Sequence, residues 1–126
     1  REFLRALKRD EAVGMLPDQV PSSGDGVWAP FFNKPAYTMI LAAKLALQAD
    51  VPVVLTAGER LPKGKGWRIH YLRLDPPTDP TVENMVFAIN QAMEQLIRRF
   101  PEQYLWSYNR YKIPSGAPAI PESLNQ

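Results

Sequence analysis

The sequence predicts an α/β fold, a partial layered sheet with crossover helices, on three observations. Short apolar runs at residues 12–16 and 53–56 flank an apolar stretch over residues 36–49, so strand, helix and strand follow one another. That order implies a right-handed crossover and parallel pairing of the two strands. Farther on, Val82, Met85, Val86, Ile89, Met93, Leu96, Ile97 and Phe100 recur at three- and four-residue steps, the period of an amphipathic helix. With 126 residues the chain is one domain long.

Taken in order, Phe3, Leu4 and Leu7 among Arg1, Arg5, Lys8 and Arg9 read as the last turns of an amphipathic helix ending by Asp10. Residues 12–16 follow as a short buried strand stopped by Pro17. After a Ser22-Ser23-Gly24-Asp25-Gly26 loop, residues 27–32 form an extended segment, which Pro30 confines to an edge or keeps out of a ladder. Pro35 suits the first turn of a helix whose polar residues Thr38, Lys44 and Gln48 share one side, and Asp50-Val51-Pro52 ends it. Residues 53–56 then pair with a half-exposed strand over residues 67–74, the turn being Leu61-Pro62-Lys63-Gly64-Lys65-Gly66. Asp79 is the expected N-cap of the long helix, with Pro80 at its first position. A second short helix is expected over residues 102–109. Residues 114–126, rich in proline, read as an extended or disordered tail to a main unit of residues 1–113.

Composition narrows the function. Fifteen basic against thirteen acidic residues give a formal charge of +2 and a pI near 9.0, mildly favouring an anionic partner. The absence of cysteine excludes disulfides, thiolate catalysis and cysteine-ligated metals, and a single histidine makes a zinc site improbable. No metal or cofactor is expected. No stretch reaches the ~20 apolar residues of a membrane span, and the start of the chain has no signal-peptide core, so the chain reads as soluble.

Two blocks carry the chemistry. The first, Gly14-Met15-Leu16-Pro17-Asp18-Gln19, ends an apolar run in a carboxylate and an amide and is followed by Trp28-Ala29-Pro30-Phe31-Phe32. Binding sites in open α/β sheets form at such strand ends. The second runs Pro101-Glu102-Gln103-Tyr104-Leu105-Trp106-Ser107-Tyr108-Asn109-Arg110-Tyr111-Lys112 and interleaves four aromatic rings with two cations. Arg110 offers a fork for phosphate and Lys112 a point charge. Either block has a plainer reading, as a surface turn or as a cap whose rings close the core. His70 and Asp75 have the spacing of the His-x-x-x-x-Asp pair of glycerolipid acyltransferases, but strand residues five apart point to opposite faces and lie about 16 Å apart. His70 therefore reads as an ordinary strand residue.

These blocks, with Pro35-Ala36 after the first and Asn90 and Glu94 on the long helix, resemble the bacterial lipid A biosynthesis acyltransferases over nearly the whole chain and in the right order. The resemblance implies a layered glycerolipid-acyltransferase fold at the cytoplasmic face of the bacterial inner membrane. There a fatty acyl group passes from acyl carrier protein to a hydroxyl of a lipid A precursor, with a histidine as general base and no acyl-enzyme. It assigns Asp18, with Gln19 beside it, to the wall of the substrate site, Trp28, Phe31 and Phe32 to the acyl side, and Arg110 and Lys112 to the acceptor's acidic groups. The family's catalytic His-x-x-x-x-Asp/Glu precedes the Asp18 block, so the general base is expected upstream of Arg1, together with a membrane-anchoring helix. This piece alone is expected to be inactive. Acyl carrier protein, lipid A precursor and membrane surface are the expected partners, and nucleic acid is not. The remaining alternatives are a non-catalytic membrane-surface or phosphate-binding module built on Arg110 and Lys112, and a single-strand nucleic-acid binder using the rings for stacking.

Overall fold

The computed structural model describes residues 1–125. The final residue of the expected tail, Gln126, lies outside them. Its elements are α1 (Glu2–Leu7), β1 (Gly26–Phe31), β2 (Lys34–Met39), α2 (Leu41–Ala49), β3 (Val54–Arg60), β4 (Trp67–Arg73) and α3 (Val82–Arg99). β1 pairs with β2 and β3 with β4, each pair an antiparallel two-stranded sheet. α3 runs through the middle and packs on β1, α2, β3 and β4.

The expected hairpin over residues 53–74 is present, and Leu74 extends its ladder by donating its N–H to Val53 O at 2.9 Å. The long helix is present too, with Met85, Val86, Ile89, Met93, Leu96 and Ile97 in the core. Its cap differs. Thr81 rather than Asp79 occupies the N-cap, accepting the Asn84 N–H at 3.1 Å, while Asp79 contributes a backbone carbonyl to the Asn84 amide. The cap therefore lies two positions later than expected, and Pro80 precedes the helix instead of occupying its first position.

Four further expectations are corrected. Residues 12–16 form no strand; Val13 and Met15 are half-buried and Leu16 is exposed, since an apolar run becomes a strand only where a neighbour supplies a ladder. The parallel pairing across a crossover helix is accordingly not found among the described residues. The helix expected from Pro35 begins only at Leu41, because residues 34–39 fold back on β1 through Phe32 and Asn33. Both turn residues have positive φ, 48° and 60°, as a two-residue type I′ hairpin turn requires. The helix expected over residues 102–109 is a single 3-10 turn, Pro101–Gln103, followed by irregular chain whose side chains bond to distant backbone instead.

Register explains how β1 and β2 tolerate proline. Pro30 faces Pro35 across the hairpin, one step beyond the hydrogen-bonded Phe31–Lys34 pair that closes the turn. Alternate pairs of an antiparallel ladder exchange no hydrogen bonds, so neither missing N–H is needed there. Pro30's carbonyl, turned outward for the same reason, accepts the Asn90 side-chain amide from α3 at 3.1 Å.

Asn90 is fully buried and donates to Thr38 Oγ1 as well, at 3.2 Å. Asn90→Ala is expected to lower the unfolding free energy by about 2–3 kcal/mol, since two buried acceptors lose a donor and a cavity opens. Urea denaturation measures this, and an unchanged midpoint would contradict the assignment.

Candidate functional site

The fold brings the two sequence blocks together. The Tyr108 hydroxyl accepts the backbone N–H of Val20 at 2.8 Å, tying the end of the first block to the middle of the second. Asp18 is half-buried, and its negative charge acts on both Tyr104 and Arg110. Burial pushes the Tyr104 phenol up, Asp18 pushes it further, and the Arg110 guanidinium opposes both.

Asp18 and Tyr104 border an open cleft of about 840 Å³. Its walls are the 12–18 segment, Leu45 and Ala46 of α2, β3 with the preceding Val53, and Ile89, Met93, Leu96 and Ile97 of α3. The volume and the apolar walls with few polar groups are those of a small-molecule site. A carboxylate beside a phenol at the rim of an apolar trough suits a ligand with a polar head and a long apolar body.

The other expected site residues lie elsewhere. Phe31 is 1% exposed and belongs to the core, its ring 4.8 Å from Phe32 and 6.3 Å from Tyr111. Phe32 sits at the hairpin turn between Phe31, Trp106 at 5.7 Å and the Arg98 guanidinium at 5.0 Å. Trp28 stands edge-on to Tyr37 and donates its indole N–H to the carbonyl of Pro118 at 2.8 Å, so the proline-rich segment touches the body here. None of the three rings lines the cleft. Phe31 and Phe32 pack against each other, and Trp28 packs on Tyr37 across the hairpin, because aromatic residues around a tight turn find each other before they find a ligand. Gln19 and Lys112 are exposed.

Arg110 is corrected as an anion ligand. It is 3% exposed, donating from Nη1 to Tyr37 O at 3.0 Å and from Nη2 to Thr38 Oγ1 at 2.8 Å, with its guanidinium over the Phe31 ring. Burial lowers its pKa, and the phenols of Tyr104, Tyr108 and Tyr111 together with Asp18 counter that. A planar fork fits two fixed acceptors, and those acceptors are protein.

Gln103 and Glu94 were not given roles by sequence reasoning. The Gln103 amide accepts the Arg60 N–H at 2.7 Å and donates to the Arg60 carbonyl at 3.1 Å, standing in for a strand partner on the outer edge of β3. Glu94 Oε1 accepts the Phe32 N–H at 2.7 Å and so holds the strained turn. For Glu94 and Asn90 the signal was present: polar residues inside an apolar helical stripe must meet polar partners.

His70 is on β4 and does not line the cleft, and its partner is Glu59 rather than Asp75. Its Nε2 lies 2.8 Å from Glu59 Oε2, and its ring stacks on Phe100 at 5.0 Å. The His70 hydrogen bond is the largest influence on Glu59, holding that carboxyl below its ordinary range against a smaller desolvation effect, with Arg68 adding to the lowering. A depressed carboxyl contributes stability above its unfolded pKa and loses it as pH falls through the folded one. Glu59→Gln should therefore lower stability at neutral and alkaline pH and leave it unchanged below the folded pKa, flattening the acid limb of the profile, as read by urea denaturation across pH. Arg110→Lys should cost about 2 kcal/mol in the same assay, because one ammonium cannot reach both acceptors in the plane a guanidinium spans.

Over residues 1–113 the chain matches the family model described as bacterial lipid A biosynthesis acyltransferase. It is similar to the lipid A biosynthesis lauroyltransferase of Escherichia coli (strain K12), with 32% identity over 121 residues that cover 93% of this chain and 39% of that protein. It is also similar to the lipid A biosynthesis palmitoleoyltransferase of the same organism and to a lipid A biosynthesis acyltransferase of Shigella flexneri. Each is 33% identical over 126 residues, 95% of this chain and 40% of the relative. The chain thus spans about two fifths of the length of these curated relatives. A match that takes in both sequence blocks, with relatives about one third identical along almost every residue, makes the chain a member of the bacterial lipid A biosynthesis acyltransferase family.

Proposed function

We propose that this chain is the C-terminal part of an enzyme that moves a fatty acyl group from acyl carrier protein to a hydroxyl of a lipid A precursor. The enzyme would work at the cytoplasmic face of the bacterial inner membrane, on a layered glycerolipid-acyltransferase fold to which the two hairpins and α3 contribute. The observation that carries the reading is that Asp18 and Tyr104, one from each of the two blocks that run through the family match, line the same apolar cleft and feel each other's charge.

In this reading the acyl chain lies in the trough walled by Leu45, Leu55, Ile89, Met93 and Leu96. Burying it there is favourable by about 0.8 kcal/mol per methylene, which positions the thioester at the polar rim. The acceptor hydroxyl oxygen attacks the acyl carbonyl carbon, a general base takes the hydroxyl proton, and the carrier's sulfur departs as the carbon–sulfur bond breaks. Asp18 braces the acceptor's head group by accepting hydrogen bonds from it. The base comes from residues preceding Arg1, since His70 is engaged with Glu59 outside the cleft. The reading of the chain as a phosphate-binding module on Arg110 and Lys112 loses Arg110, whose Nη1 and Nη2 are spent on Tyr37 and Thr38.

The 126-residue chain, offered acyl carrier protein thioester and lipid A precursor, is expected to transfer no acyl group. A longer protein carrying this segment should, and Asp18→Asn within it should lower turnover on the order of a hundredfold, the scale of a misplaced substrate. Turnover by the 126-residue chain that disappears in His70→Ala would overturn the reading.

A further inference from the structure

We infer that the cleft admits an acyl chain only beneath an uncharged head, so that an acyl thioester enters and the free fatty acid is turned away. The inference rests on the reading of the cleft as an acyl site and adds to it a rule about charge. The charged residues lining the cleft are Asp10, Glu11 and Asp18, all acidic; no lysine or arginine lines it, although the chain as a whole carries a formal charge of +2.

These carboxylates are not equally matched. Glu11 has Arg9 beside it, with Nε 2.7 Å from Oε1. Asp10 and Asp18 form no ion pair among the described residues. The charge of Asp18 acts on Arg110, but that side chain is 3% exposed, does not line the cleft, and spends Nη1 and Nη2 on Tyr37 and Thr38. Its remaining N–H, at Nε, is buried as well. Arg110 is thus not free to follow a ligand's carboxylate into the cleft.

Tyr104 supplies the attractive half of the rule. Its neighbours in the second block have spent their polar tips on protein: Trp106 Nε1 donates to Pro101 O at 2.8 Å, Tyr108 Oη accepts from Val20, and Tyr111 Oη donates to Phe31 O. The Tyr104 hydroxyl has no protein partner among the described residues, while its ring is held by Trp106 at 4.8 Å and Phe31 at 6.4 Å. Burial and then Asp18 raise its pKa, so the phenol keeps its proton and donates. A thioester carbonyl oxygen accepts such a bond without bringing a charge. A carboxylate would accept it too, but only by entering an apolar trough beside Asp18, where desolvation and like-charge repulsion both oppose it. Fatty acid released by hydrolysis of the donor therefore does not compete with the thioester.

The test is displacement of the neutral fluorophore N-phenylnaphthylamine from this chain. Lauroyl-N-acetylcysteamine, a thioester, is expected to displace it, and laurate to be about tenfold weaker at low salt, the scale of one like-charge contact near a protein surface. Raising the salt should narrow the gap. Asp18→Asn should strengthen laurate binding about tenfold by removing that contact. Tyr104→Phe, which keeps the ring, should weaken the thioester about fivefold, the effect of one neutral hydrogen bond, while the fluorophore, which has no carbonyl, binds as before. Laurate binding as tight as that of the thioester would overturn the inference and leave the acyl reading standing, as would laurate binding unmoved by Asp18→Asn and by salt. Thioester binding unchanged in Tyr104→Phe would overturn the role given to Tyr104. Displacement by neither ligand would overturn the acyl reading itself. Retained fluorophore binding shows that Asp18→Asn is folded; if it is not, the salt dependence of the parent chain decides.

Discussion

One hydroxyl holds the molecule's parts in register. Thr38 Oγ1, in the buried middle of β2, donates to Ala36 O at 3.0 Å and accepts from Asn90 of α3 at 3.2 Å and Arg110 of the C-terminal segment at 2.8 Å. Three stretches of chain far apart in sequence thus converge on an atom that is itself held by the strand it belongs to. A buried hydroxyl with two donors aimed at it has no freedom to turn elsewhere, so the node fixes α3 and the terminal segment against the hairpin. Apolar packing alone would let α3 slide along the sheet by part of a turn; directional bonds do not.

What the node positions is the rim of the cleft. With Arg110 fixed on Tyr37 and Thr38, the segment from Tyr104 to Tyr111 must cross the end of the β1–β2 hairpin, and Tyr111 marks that crossing by donating to Phe31 O at 2.6 Å. Tyr108 then reaches Val20, and Tyr104 joins Asp18 in the lining of the cleft. The placement of the segment that lines the cleft with Asp18 is thereby set by bonds to Phe31, Tyr37 and Thr38. A cation that looked from sequence like a phosphate ligand serves the site at second hand, by fixing the strap that carries its phenols.

How much of this was legible follows from what each signal measures. The α3 stripe was readable because helical periodicity reports one buried face, and that face is buried against any neighbour. The 53–74 hairpin was readable because its turn is rich in glycine and lysine between alternating strands. The β1–β2 hairpin was missed because Phe32 and Asn33 turn without glycine, held by Glu94, the Phe31 ring and Arg98, none of which is adjacent in sequence. Residues 12–16 were misread for a related reason: a buried-strand composition specifies a strand only when a partner edge is present. Of the expected site residues, Asp18 is the one that lies in the lining of the cleft, and a carboxylate after an apolar run is conspicuous in sequence. Phe31, Phe32 and Arg110 were misassigned because side-chain type does not distinguish a ring or cation turned to a ligand from one turned inward.

Two-stranded sheets are marginal alone, since each leaves open edges of backbone donors and acceptors. Here side chains take the place of the absent strands. Asn90 meets the outward carbonyl of Pro30, Glu94 the N–H of Phe32, and Gln103 both groups of Arg60. Each such bond is worth only about 1 kcal/mol net, but where the backbone group is partly buried, as at Pro30 and Phe32, leaving it unpaired would cost more than that. The substitution is selective, because an amide can imitate one rung of a ladder and no more. Gln103 therefore closes the outer edge of β3 at Arg60 alone, while the stretch from Val54 to Ala57 borders the cleft. The residues that stabilise the hairpins and those that leave the cleft open are thus parts of a single arrangement, in which the Pro101-Glu102-Gln103-Tyr104 run seals one end of an edge and delivers a phenol to the rim at the other.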